Sequence, residues 1–265
     1  MGPLRLADVD PPEPPADGWV RLRPRLAGIC GSDLATIDGR SSRYFEPIVS
    51  FPFTPGHEVV GDLDDDSRAV LVPILSCSTR GIDPVCPGCA AGAINRCERL
   101  AFGHLEPGLQ TGFCTDTGGG WSTQLIAHES QLVPVPKAMP DEQAVMVEPT
   151  ACAVHAARSL RPAVGTVAVI GSGTLGLLTI AALRVHADPT TIMATAKHPA
   201  QQKLATELGA DWVSESGEPT QSTTTSAPPV GRPPTTKDPV AARMLRPSSF
   251  GSATQSTPSS VASFC

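Results

Sequence analysis

The chain has 265 residues, 40% of them hydrophobic, with a formal net charge of −6 and 28 prolines. That length suits one or two domains, and an acidic balance without a basic stripe argues against a nucleic-acid partner. No apolar run approaches the length of a bilayer span, and residues 1–10 lack the apolar core of a secretory peptide. The expected location is therefore the cytoplasm. There, eight cysteines are metal ligands or buried thiols rather than disulfides.

In chain order, residues 4–131 predict a β-rich domain. Short apolar runs at 19–22, 58–61, 68–73 and 122–126 are separated by Gly, Pro and Asp. Within this region stand Gly28-Ile29-Cys30-Gly31-Ser32-Asp33 and then Gly56-His57-Glu58. Cys and His bind zinc tightly, and a catalytic zinc takes three protein ligands and keeps one position open. Cys30, His57 and one of Glu58 or Glu148 meet that count. Asp33 suits the partner that accepts the second ring N–H of His57. Ser32 suits proton transfer from a substrate hydroxyl. A buried thiol and a core histidine would explain Cys30 and His57 singly, but not both in this context.

A cysteine ladder follows: Cys86, Cys89 and Cys97 in a loop rich in Pro and Gly. Three thiolates hold a structural zinc once a fourth ligand joins them. Asp83, one C-x2-C step upstream, is the expected fourth ligand, and Cys77 is its rival. Free thiols without metal are the alternative.

Residues 141–160 read as helical, with Val145, Cys152, Ala156 and Leu160 on one face, Pro149 as a break or restart and Pro162 as the stop. Next come an apolar strand at 167–170, a helix at 174–185, a strand at 190–195, a helix at 200–208 and a weak strand at 211–214. Such alternation predicts a parallel sheet covered by helices. Between the first strand and helix lies Gly171-Ser172-Gly173-Thr174-Leu175-Gly176, a dinucleotide fingerprint in the context that gives it meaning. Gly171 makes the tight turn, Gly173 admits the pyrophosphate and Gly176 packs helix on strand. Thr174 and Leu175 begin the helix whose N-terminus faces the phosphates. Residues 190–198 offer no acid for a ribose 2′-OH. Thr195, Lys197 and His198 stand there instead, and a cation favours a 2′-phosphate, so NADP is expected over NAD. From residue 214 Ser, Thr and Pro dominate without helix or strand period, the composition of a disordered tail.

With these residues in view, the sequence resembles the zinc-dependent medium-chain alcohol dehydrogenase superfamily over residues 4–214. The carriers, in the family's order, are Gly28 to Asp33, Gly56-His57-Glu58, the ladder, Gly118 to Trp121, Glu148-Pro149 and the glycine fingerprint. The resemblance implies an α/β plus β fold. A GroES-like β-barrel catalytic domain would span residues 1–157, a partial Rossmann domain with a doubly wound parallel sheet residues 158–213, and a low-complexity tail residues 214–265. It implies a zinc-dependent oxidoreductase moving a hydride between a small-molecule alcohol, polyol or sugar and a nicotinamide cofactor, in a family where homo-oligomers are common. Glu148 matches the position where polyol and glucose dehydrogenases carry Glu.

Three departures stand out. Asp83 replaces the first ladder cysteine. Ala35 lies where many members carry a relay histidine. The family's second mononucleotide half does not follow residue 214. The last departure supports a second reading, a truncated zinc-binding remnant without catalysis. A zinc-free quinone-reductase relative would share the dinucleotide half but leave Cys30, His57 and the ladder unexplained.

Overall fold

The computed structural model describes residues 4–41, 43–160, 165–187, 189, 191–215 and 244–245. The chain divides into two units, Met1–Glu148 and Pro149–Cys265.

The first unit contains β1 (Trp19–Ala27), α1 (Gly31–Ile37), β2 (Val59–Asp62), β3 (Arg68–Leu71), α2 (Pro87–Ala90), β4 (Leu125–His128), β5 (Leu132–Pro134) and α3 (Asp141–Ala144). Its strands form one antiparallel sheet in the order β4-β1-β2-β3-β5. Along β1, Leu22 is buried while its neighbours Arg23 and Arg25 face out. Trp19, three residues from Leu22 and so on the other face of the strand, is buried in a separate cluster with Leu75, Leu105, Cys114 and Ile126. Pro24 sits where the pairing of β1 with β2 shifts register, as expected of a residue with no N–H to give the ladder. Leu22, Val59, Leu71, Leu125 and Ala127 close the core beneath the sheet. Each large side chain so buried contributes roughly 1.5–3 kcal/mol over leaving it exposed. Asp141 pins the outer face. Its carboxylate accepts from Arg25 at 2.7 Å and from Arg68 at 2.5 Å, joining β1, β3 and the start of α3.

A helix α4 (Val147–Arg158) carries the division between the units. The helical stretch expected over 141–160 is thus two helices, and the break falls at residues 145–146 rather than at Pro149. Pro149 lies in the first turn of α4, where its missing N–H is no loss. Nor do the four expected face residues share one core. Val145 packs against Val60, Val70 and Ala144, whereas Leu160 joins Ala153 and Ala157 in the core of the second unit.

The second unit continues with β6 (Thr166–Ile170), α5 (Thr174–His186), β7 (Thr191–Ala196), α6 (Pro199–Glu207), β8 (Trp212–Glu215) and β9 (Met244–Leu245). The strands are parallel, in the order β8-β7-β6-β9, and the first three are the expected half of a doubly wound sheet. Val167, Val169, Ile192 and Ala194 pack with Ile180, Leu183 and Ala205. The alternate residues Ala168, Met193 and Trp212 stand in register across three strands, with Met193 40% and Trp212 54% exposed. Where no strand was expected after residue 214, Met244–Leu245 pairs with Ala168 and Val169. An apolar dipeptide can satisfy the free edge of β6, which the tail's average composition hides. The rest of the expected tail lies outside the described residues. Among the described residues no helix is long and apolar enough to cross a membrane.

Candidate metal centres and coenzyme loop

The end of β1 and the start of β2 run side by side, Ala27 opposite Val59, and Gly28 N donates to Glu58 O at 2.8 Å. This pairing carries Cys30, the N-cap of α1, up to the residues just ahead of β2. The Cys30 thiol, a His57 ring nitrogen and a Glu58 carboxylate oxygen all lie within 4.8 Å of one another. His57 is buried, and Cys30 and Glu58 are half-buried.

Asp33 stands behind this group. Its Oδ2 accepts the Cys30 N–H at 2.9 Å, and its Oδ1 lies 3.3 Å from His57 Nδ1. Both facing atoms are buried without a well-formed hydrogen bond, so this is a contact of charge rather than of alignment. A metal on Nε2 would fix the ring proton on Nδ1 and give each orphan its partner. The donor set fits zinc of the three-ligand kind, with one position left over. Burial opposes charge on His57, yet Asp33 and Cys30 outweigh it and push its pKa up to about 10. Burial also pushes the Glu58 carboxyl up. Metal binding at His57 would therefore compete with its ring proton.

Glycine makes the approach feasible. A Cβ on Gly28 would lie 2.0 Å from Glu58 Oε2. Gly56 has φ +100°, and a Cβ there would meet Trp121 Cδ1 at 2.6 Å. Trp121 in turn ties the two ligand segments. Its indole Nε1–H donates to Gly28 O at 3.0 Å, and its backbone N donates to Pro55 O at 3.0 Å. Phe113 flanks His57 with ring centroids 5.8 Å apart, and Phe53 lies against Phe113 at 5.2 Å, giving the site an apolar wall.

The second cluster is Cys77, Cys86, Cys89 and Cys97, whose sulfurs all lie within 4.8 Å of one another. Cys77 Sγ and Cys97 Sγ are 3.7 Å apart. A disulfide needs about 2.05 Å. A tetrahedral centre with zinc–sulfur bonds of about 2.3 Å has sulfur–sulfur edges near 3.8 Å, so the cluster has the size of a zinc site. Burial pushes Cys89 and Cys97 up, while backbone N–H groups of Glu98 and Cys89 pull Cys86 down. The expected fourth ligand, Asp83, is exposed and outside the cluster. Cys77 takes its place because the turn after it folds back: Arg80 N and Ile82 N both donate to Cys77 O, at 3.1 and 3.0 Å.

In the second unit Gly171 has φ +93°, and a Cβ on Gly176 would lie 1.9 Å from Gly171 O, so turn and close packing both require glycine. Gly173 caps α5, whose first residues are Thr174 and Leu175. The Thr195 hydroxyl accepts the Gly171 N–H at 3.0 Å, and Ser172 Oγ donates to Thr195 O at 3.0 Å. Thr195 therefore braces the loop, while Lys197 and His198 are exposed just beyond β7.

Residues 16–137 match the alcohol dehydrogenase GroES-like domain. The (R,R)-butanediol dehydrogenase of Bacillus subtilis (strain 168) is 32% identical over 226 residues, covering 78% of this chain and 59% of the enzyme. Among solved structures, galactitol-1-phosphate dehydrogenase from Escherichia coli superposes with a TM-score of 0.62 at 25% identity, over 79% of this chain and 57% of that one. A putative zinc-binding dehydrogenase from Sinorhizobium meliloti 1021 bound to NADP gives 0.63 at 26% identity, over 78% and 57%. Residues 16–137 thus form an alcohol dehydrogenase GroES-like domain, and the likeness to dehydrogenases extends over about four-fifths of the chain. The chain spans somewhat over half the length of the relatives it matches, 59% for the butanediol dehydrogenase.

Within the family frame, the structure brings together Cys30, His57 and Glu58, and separately Cys86, Cys89 and Cys97. Glu148 is half-buried in the first turn of α4 and is not in the first cluster. Ser32 is half-buried in the first turn of α1. Sequence reasoning passed over Phe113 altogether and gave Trp121 no role. A tryptophan directly after three glycines was the available sign of a backbone approach with a bulky neighbour.

Proposed function

We propose that the chain is part of a zinc-dependent oxidoreductase moving a hydride between a small alcohol, polyol or sugar and a nicotinamide cofactor. The observation that carries this reading is the convergence of Cys30, His57 and Glu58 with Asp33 behind His57. Zinc held there would act as Lewis acid on the substrate oxygen and lower the hydroxyl pKa. Asp33 holds His57 in the ligating tautomer, Ser32 accepts the substrate proton, and Phe113 keeps water from one side. The Gly171–Gly176 loop holds the coenzyme pyrophosphate at the start of α5. Lys197 and His198, in a stretch (190–198) that contains no acid, favour NADP over NAD. Butanediol, sorbitol and galactitol 1-phosphate, named for relatives, are the first substrates to try.

Cys77, Cys86, Cys89 and Cys97 hold a second, structural zinc. A second reading is zinc binding without turnover. Zinc content and NADP- and NAD-linked oxidation of those substrates, measured on one purified sample, separate the two. Two zincs with turnover support the oxidoreductase, zinc without turnover supports the second reading, and absence of zinc rejects both.

A further inference from the structure

Arg80 is fully buried, with 0% of its surface exposed. Its Nε donates to Leu75 O at 3.2 Å, and its Nη1 to Phe102 O and Leu105 O at 3.1 Å and Glu106 O at 3.3 Å. Its Nη2 donates to Glu106 O at 3.2 Å and Gly108 O at 2.6 Å. Every acceptor is a neutral carbonyl, and among the described residues no carboxylate lies within ion-pair distance of it. Carbonyl dipoles satisfy the guanidinium's donors, but a buried charge without a counter-charge remains expensive.

The cysteine cluster is close by in the chain, Cys77 standing three residues before Arg80. Arg80 belongs to the turn whose N–H groups fold onto Cys77 O. The 102–108 segment that it grips follows Cys97, and Leu100 packs on the cysteine cluster. Four thiolates around a divalent ion leave a net charge of −2 inside a low-dielectric lobe, as unfavourable alone as the lone guanidinium. We propose that Arg80 is the counter-cation of the four-cysteine centre, a positioning residue that raises metal retention through its charge. This rests on the zinc reading of that cluster. Burial lowers the Arg80 pKa, and Cys114, Cys97, Asp116 and Cys77 act in the opposite sense. Asp116 is the rival counter-charge. It accepts the Glu106 N–H at 2.7 Å, one peptide away from a carbonyl that Arg80 binds. Gly103 presses the loop onto Arg80, since a Cβ there would lie 2.3 Å from Arg80 O, so shape and charge must be separated by experiment.

The test uses the full chain with Cys30→Ala, so that the remaining zinc is that of the cysteine cluster, titrated with a chromogenic chelator. Arg80→Met removes the charge, Arg80→Lys keeps it but loses the fork, and Asp116→Asn removes the rival. Expected are a loss of about 10–100-fold in zinc affinity for Arg80→Met, less than about threefold for Arg80→Lys, and none for Asp116→Asn. Equal losses for Met and Lys would make Arg80 a strut held by hydrogen bonds and overturn the proposal, as would a loss in Asp116→Asn matching that of Arg80→Met. If Arg80→Met does not fold, Arg80→Lys decides, since a tenfold loss there is equally fatal. A parent that takes up no zinc in this cluster overturns the zinc reading and this one together. A zinc-loaded parent with an unchanged Arg80→Met overturns this one alone.

Discussion

The first unit gathers two groups of metal-type ligands by different routes. Cys77, Cys86, Cys89 and Cys97 come from one loop folded on itself, with four like sulfurs all within 4.8 Å of one another. Cys30, His57 and Glu58 come from two segments leaving paired strands, with three unlike ligands and a carboxylate behind the imidazole. A closed all-sulfur set holds an ion for its own sake. A mixed three-ligand set leaves a position where something else can bind. The first needs only its loop, whereas the second depends on the sheet and on Gly28, Gly56 and Trp121.

Substitutions can break or sharpen this contrast. Cys30→Ala should remove one zinc and lower any dehydrogenase turnover about 10³-fold or more, leaving the cysteine-cluster zinc in place by elemental analysis. Cys77→Ser should do the reverse, releasing the second zinc, while Asp83→Asn keeps both. Zinc lost from Asp83→Asn would restore the aspartate as a ligand. Gly28→Ala puts a methyl into the Glu58 carboxylate and should weaken zinc binding at the mixed site about 10–100-fold, with the cysteine cluster unmoved in the same chelator titration. Trp121→Phe loses only the indole bond to Gly28 O, worth about 1 kcal/mol, and should weaken the mixed site less than tenfold.

The smallest effect separates scaffold from sites. Arg25 first, then Arg68, hold the Asp141 carboxyl below its usual pKa. Its contribution is therefore present above the unfolded value of about 4 and is lost as pH falls through the lower folded value. Asp141→Asn should lower the melting temperature by a few degrees at pH 7, converge with the parent in acid, and leave both zincs bound.

Much of this was legible because motif and local structure coincide. The glycine loop sits between an apolar strand and a helix, and Gly171 and Gly176 occupy positions where only glycine fits. Cys30 and His57 were legible as a pair because few alternatives explain both. That Cys77 rather than Asp83 stands with the other three cysteines was not, since regular spacing says nothing about a turn that folds a more distant residue inward. That Glu58 stands with Cys30 and His57 depended on strand pairing, a long-range fact, although Gly28 is its local trace. The break before Val147 was misplaced at Pro149 because a proline in a first turn resembles one in a helix interior when the helix start is unknown.

The exposed row on the parallel sheet has a practical consequence. The chain has three tryptophans. Trp19 is 6% exposed and Trp121 half-buried, both in the first unit, and Trp212 is 54% exposed in the second. Intrinsic fluorescence therefore contains emitters that acrylamide ranks by exposure, with Trp19 of the first unit shielded, Trp121 partly open and the single second-unit emitter Trp212 most open. Selective quenching lets the melting of each unit be followed in one cuvette without any label.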